Sequence, residues 1–134
     1  MQLRFLKASY SVCQLAADAD IPSWSKGEFV AILRTDEELS VVVPTNSVPV
    51  DFTESLTEFP NVKASHDWRC FRVCSELEFD VIGVIAGISK VLKDASVSIF
   101  SLSTYNTDYF LVTESSVNIA KQALTDAGYT FEGE

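Results

Sequence analysis

The clearest periodicity in the chain lies between residues 81 and 92. Val81, Val84, Ile85, Ile88, Val91 and Leu92 recur at helical spacing and form one apolar stripe, with Asp80 placed as N-cap and Lys90 and Lys93 toward the C-terminal end. Before it, residues 68–75 read as a strand. After it, residues 97–104 and 109–113 read as the two arms of a hairpin. Ser115 or Ser116 then starts a second helix, with Val117, Ala120, Leu124 and Ala127 on one face. Gly128 stops it, and residues 129–131 form a last short strand. The predicted order is β-α-β-β-α-β, a split βαβ unit of ferredoxin-like type.

Part of this pattern occurs twice. When the sequence is shifted by 69 residues, FVAILRTDEELSVVVPTNSV (from Phe29) aligns without a gap on SIFSLSTYNTDYFLVTESSV (from Ser98). Leu33 falls on Leu102, Thr35 on Thr104, Val43 on Val112 and Ser47 on Ser116. Upstream, Val12-Cys13 falls on Val73-Cys74 with a shorter spacing to the hairpin. A repeat of this kind decides architecture, so it is weighed before single elements. In the first copy, AADADIPSWSKG holds Pro22 and Gly27 and lacks room for a helix, which makes it a loop or a single turn. The helix after Asn46 is interrupted by Pro49. The chain therefore reads as α+β, with two ferredoxin-like βαββαβ units, the first reduced. The boundaries are residues 1–60 and 61–134, joined through a loop at residues 59–67.

The totals narrow the chemistry. The chain has 134 residues and a net charge of −9, from 19 acidic against 10 basic side chains. Such a surface repels phosphate backbones and has no basic stripe, so nucleic-acid binding is not expected. No apolar run reaches the ~20 residues of a membrane span, and Arg4 and Lys7 spoil the start as a signal peptide. Cys13, Cys70 and Cys74 have no disulfide-framework spacing and read as buried, reduced thiols in the cytoplasm. With His66 the sole histidine, no metal, cofactor or catalytic residue is expected. His66 reads as an exposed loop residue, and Ser9, Ser11 and Ser25 lack the pattern of a nucleophile. Glu76, Glu78 and Asp80 could pair as acid and base, but suit a solvated strand end. Trp24 and Trp68 read as core or interface anchors.

One stretch stands out. Ser103-Thr104-Tyr105-Asn106-Thr107-Asp108 is a turn with more hydroxyls than a turn needs. In this hairpin context, and with Trp68-Arg69, Phe79, Gly83-Val84, Tyr109 and Leu111-Val112, residues 68–131 resemble an ACT domain, the small-molecule-binding regulatory module of amino-acid metabolism. The chain is similar to small bacterial proteins with two ACT-like units and to the ACT domains of animal cytosolic arginine sensors. Cys13, Pro22 and Trp24 fit the same bacterial proteins. The resemblance implies a non-catalytic regulatory protein whose ligand, an amino acid, lies between a helix-start loop and a strand edge. Gly83 and Val84 would supply the loop. Thr104, Tyr105 and Asp108 would supply the hairpin, and Ser98 and Ile99 the strand edge. Leu39 stands where the first copy would need Asp108, which implies one full site per chain, completed by a second chain in a homo-oligomer. The alternative is a structural or protein-interaction module without a ligand.

The residues support the same site independently. Backbone N–H groups at a helix start suit a carboxylate, and Gly83 permits close approach. Asp108 could accept from an ammonium, although it could equally bond its own turn. Gly83 could serve helix–sheet packing, and Tyr105 could pack on the turn. In the strand read at residues 97–104, Val97 and Ile99 face one way and Phe100 and Leu102 the other, so a second chain is expected against that strand.

Overall fold

The computed structural model describes residues 1–49, 63–74 and 82–133. The strands are β1 (Gln2–Leu15), β2 (Ala31–Arg34), β3 (Leu39–Pro44), β4 (Lys63–Val73), β5 (Phe100–Ser103), β6 (Asp108–Thr113) and β7 (Thr130–Phe131). The helices are α1 (Val84–Asp94) and α2 (Val117–Asp126), with single 3-10 turns at Thr45–Ser47 and Glu114–Ser116. Two compact units result: Met1–Lys7 with Arg69–Glu134, and Ala8–Trp68. β1 and β4 each contribute residues to both.

The unit that holds both helices has the predicted β-α-β-β-α-β order in β4-α1-β5-β6-α2-β7. Its strands run β5-β6-β4-β1, and β7 lies parallel to the start of β1, with Gln2 opposite Thr130 and Leu3 opposite Phe131. The N-terminal residues of β1 thus stand between β4 and β7, an insertion that local periodicity does not show. α1 and α2 lie on one face. Ile88 and Leu92 of α1 and Ala120 and Leu124 of α2 bury against Phe71, Val73, Phe110, Val112 and Leu3. Phe71 stacks on Phe110 with ring centroids 5.2 Å apart. Complete burial of aromatics of this size contributes about 1.5–3 kcal/mol each, so this layer dominates the unit.

Several boundaries move. α1 starts at Val84 and its N-cap is Gly83, not Asp80. Gly83 is left-handed (φ 86°), and a helix cannot pass back through that conformation. Asp80, Glu76, Glu78, Phe79 and Val81 lie outside the described residues. Ile85 is 40% exposed, so it leaves the apolar stripe. β5 starts at Phe100 instead of Val97, because residues 95–97 close α1. Ser96 adopts φ 61°, its N–H bonds Lys93 O, and Val97 N–H reaches back to Leu92 O at 2.8 Å. This is a Schellman motif, and the same motif ends α2 at Gly128, with Tyr129 N–H on Leu124 O. It also explains the phase change in the sequence: Val97 is a cap residue under the helix, and Phe100 is the first strand residue.

In the second unit the order is β2-β3-β1-β4, and β1 pairs with β3 from Tyr10 opposite Pro44 to Leu15 opposite Leu39. Cys13, Leu39, Val41, Val43 and Val48 form its core, with Trp24 and Val30 packed on it. Residues 16–30 contain no helix, as their Pro and Gly predict. The segment after Pro49 lies outside the described residues. β4 begins at Lys63, so residues 63–67 are strand, not loop. Their polar sequence hides the strand, and Asp67 at φ 67° marks a local kink in it. His66 is correspondingly no exposed loop residue. Its Nδ1 lies 2.6 Å from the Ser11 hydroxyl, which also bonds Thr45 Oγ1 at 2.9 Å.

The repeat is exact at the level of elements. β2, β3 and the first 3-10 turn map onto β5, β6 and the second at the same 69-residue shift. Even the turn bonds recur: Thr35 N–H donates to Glu38 O at 2.9 Å, and Thr104 N–H to Thr107 O at 2.8 Å. Among the described residues no helix is long and apolar enough to cross a membrane.

Candidate functional site

The start of α1 opens into a cleft of about 380 Å³. Ile82, Gly83 and Val84 form one wall, and Ala127, Gly128 and Tyr129 form another, with Met1 at the rim. The first N–H groups of any helix have no partner within it. Among the described residues the N-cap, Gly83, supplies no side-chain bond to them, and Gly87 N–H donates to Gly83 O at 2.8 Å. A Cβ built on Gly83 would meet nothing within 4 Å, so the left-handed turn faces open space. Donors at the positive end of a helix dipole beside an apolar wall can hold a carboxylate and a small side chain.

The hairpin residues are placed differently. Thr104 and Tyr105 lie in the β5–β6 turn, and Asp108 is the first residue of β6. The hydroxyls that made the turn conspicuous bond within it. Ser103 Oγ donates to Asp108 Oδ1 at 2.6 Å. Thr104 Oγ1 bonds Thr107 O and accepts from Thr107 N–H. Thr107, which is 3% exposed, donates to Val73 O at 3.0 Å. That last bond ties the turn to the C-terminal end of β4, the end from which the chain proceeds to α1. Tyr105 is 80% exposed. Ser98 is exposed and Ile99 half-buried, both in the link before β5. Gly83 and Val84 therefore share the cleft, whereas Ser98, Ile99, Thr104, Tyr105 and Asp108 are not among the residues that line it.

Met1, Ile82, Ala127, Gly128 and Tyr129 are lining residues that sequence reasoning did not nominate. Gly128 was legible only as a helix stop. Its place beside Gly83 comes from α1 and α2 packing side by side, which no local spacing encodes. The other polar constellation is Ser11 with His66 and Thr45. Ser11 is fully buried, and its hydroxyl is bonded to both His66 Nδ1 and Thr45 Oγ1. Among the described residues no group of three His, Cys, Asp or Glu side chains could hold a metal ion.

The family model of the ACT domain matches residues 63–126. A second family model, of an N-terminal domain, matches residues 8–51. The crystal structure of a protein from Agobacterium tumefaciens is 30% identical over 97% of this chain and 90% of its own, with a TM-score of 0.84. A putative C-terminal regulatory domain of aspartate kinase from Porphyromonas gingivalis is 16% identical, with 92% of each chain covered and a TM-score of 0.57. The ligand-free regulatory subunit of aspartate kinase from Thermus thermophilus is 10% identical over 90% of this chain and 93% of its own, with a TM-score of 0.58. The last two share the fold. No curated protein matches the chain.

Proposed function

Because the chain belongs to the ACT-domain family, we propose that it is a non-catalytic regulatory protein that binds a small molecule, an amino acid, at the start of α1. The observation that carries this reading is the glycine-led helix start, whose N-cap offers no side-chain bond, in a cleft of about 380 Å³. That volume suits a small metabolite, and small ligands need only a few convergent polar groups. The amides after Gly83 and Val84 receive the carboxylate. Thr104, Tyr105 and Asp108, with Ser98 and Ile99, do not line this cleft; they reach the ligand from the second chain of a homo-oligomer, with Asp108 accepting from the ammonium. The regulatory domains of aspartate kinase with this fold make a regulatory consequence the natural output of binding. Three free thiols suit a reducing compartment and support a cytoplasmic location.

The test is a thermal-shift screen of the standard amino acids against the whole chain, followed by calorimetry. A ligand that binds only the folded state at one hundred times its dissociation constant stabilises by about 2.7 kcal/mol, a rise of several degrees. At least one amino acid should give a saturable rise, and Gly83→Val should abolish it by projecting a side chain into the cleft. If no amino acid shifts the midpoint at millimolar concentration, the reading fails and the module is structural.

A further inference from the structure

We infer that Arg4 and Arg72 form a second binding site, for the phosphoryl group of a small metabolite, on the face of the helical unit's sheet opposite α1 and α2. β1 and β4 are neighbours in that sheet. Cys74 N–H donates to Gln2 O at 3.0 Å, and the Arg69 guanidinium donates to Leu6 O at 3.1 Å, so the two strands run antiparallel. Two residues inward from Gln2 and Cys74, Arg4 stands opposite Arg72. Leu3 and Phe5 flank Arg4, Phe71 and Val73 flank Arg72, and these four pack in the core with the helices. Side chains alternate along a strand, so both guanidiniums project from the other face.

Like charges directly opposite each other destabilise a sheet unless something neutralises them. Acids outnumber bases in this chain by 19 to 10, yet among the described residues neither arginine forms an ion pair. Arg4 Nε is buried without a partner. Arg72 Nε donates to the adjacent Val73 O at 3.1 Å, and its guanidinium lies over the Tyr109 ring, 5.5 Å from the centroid. The carboxylate of this cluster, Glu132, bonds the Cys74 thiol, and the charges of Arg4 and Arg72 act on the same thiol. The four groups are therefore together, with the carboxylate engaged by sulfur and the two cations left unpaired.

The internal repeat supplies a comparison. The shift that places Val12-Cys13 on Val73-Cys74 places Ser11 on Arg72. In its own unit Ser11 is neutral, and its hydroxyl is bonded to His66 Nδ1 and Thr45 Oγ1. At the matching position the helical unit carries a charge that no described protein group balances. The balancing group is an anion from outside. Two guanidinium forks offer paired donors in fixed planes, which suit the oxygens of a phosphoryl group. Its charge of nearly −2 matches two cations, whereas a monocarboxylate leaves one uncompensated. The remaining surface is acidic and repels a polyanion, so the phosphate belongs to a small molecule, not to a nucleic acid.

Thermal-shift and calorimetric titrations of the whole chain with inorganic phosphate, against chloride at constant ionic strength, test the inference. The parent should show a saturable rise in midpoint that succinate, a dicarboxylate, does not reproduce. Arg4→Gln and Arg72→Gln should each weaken phosphate binding about tenfold or more. Arg72→Lys, which keeps the charge and loses the fork, should weaken it too. Without phosphate, Arg4→Gln should be at least as stable as the parent, because a like-charge contact has gone; a purely structural arginine would show a loss there. Lys93→Gln, which removes an exposed cation from α1, should leave phosphate binding unchanged. A parent indifferent to phosphate, equal protection by succinate, unchanged affinity in the Arg4 and Arg72 variants, a destabilised Arg4→Gln, or an equal loss in Lys93→Gln would each overturn it.

Discussion

Ser96 is the residue whose conformation and identity agree least. It takes the left-handed place that closes α1, while the matching place after α2 is held by Gly128 at φ 101°. A side chain in that region costs about 1–2 kcal/mol, part of which glycine returns by its greater freedom when unfolded. Ser96→Gly should therefore stabilise the protein by about 0.5–1 kcal/mol in urea titration. A destabilised variant would mean that Ser96 has a role beyond the turn. Asp108 poses a sharper question, because its carboxylate already accepts from Ser103. Asn keeps an acceptor for that hydroxyl but loses the charge. If Asp108 meets a ligand ammonium, Asp108→Asn should weaken binding about tenfold to 150-fold with little change in free-state stability. Equal affinity in calorimetry would confine Asp108 to the hairpin. Cys13 can be read by pH. Burial pushes its thiol up to about 11 from an ordinary value of 9.0. The folded form thus keeps its proton where the unfolded chain loses it. The stabilisation is complete below pH 9 and is lost as pH rises through 11. Cys13→Val should lose less stability than the parent between pH 9 and pH 11, measured as a difference between the two denaturation curves.

At the scale of elements, what was legible depended on whether a single face is buried. α1 and α2 showed their stripes because each packs on one side, and the hairpins showed theirs because turn chemistry is local. The repeat was legible because the two hairpins share strands, a turn and a 3-10 turn, down to the threonine that bonds across each. β4 was half legible. Cys70, Phe71 and Val73 near its end are buried, while Lys63, Ala64 and Ser65 are all exposed and gave no alternation. β1 was read only from Tyr10, since Leu3, Leu6 and Tyr10 bury both faces of one long strand and break its period of two. The candidate site was legible as residue types, Gly83 above all. Its partners at Met1 and Tyr129 depend on tertiary packing. The hydroxyls of the hairpin were conspicuous in the sequence, but much of their chemistry is internal. Thr107→Val keeps the shape and removes the donor to Val73 O. It should cost about 1–3 kcal/mol, because a buried carbonyl loses its partner.

At the scale of the whole molecule, the consequential feature is that two strands serve both units. β1 enters one unit with Gln2–Lys7 and the other from Ala8 onward, and β4 passes between them at Trp68 and Arg69. A strand is held by its neighbours along its whole length, so loss of one unit removes the end-support of both strands in the other. The core of the helical unit centres on Phe71 and Phe110, and truncating a buried phenylalanine costs about 3–5 kcal/mol. The two tryptophans, Trp24 and Trp68, belong to the other unit, and both described helices belong to the first. Tryptophan fluorescence and helical circular dichroism therefore watch different units in one urea titration. If the shared strands couple them, the two curves coincide in the parent, and Phe110→Ala moves both to lower urea by the same amount. If the units were independent, Phe110→Ala would shift the circular dichroism curve and leave the fluorescence curve where it stood. That separation would show that continuity of strand is not enough to make the two units fold as one.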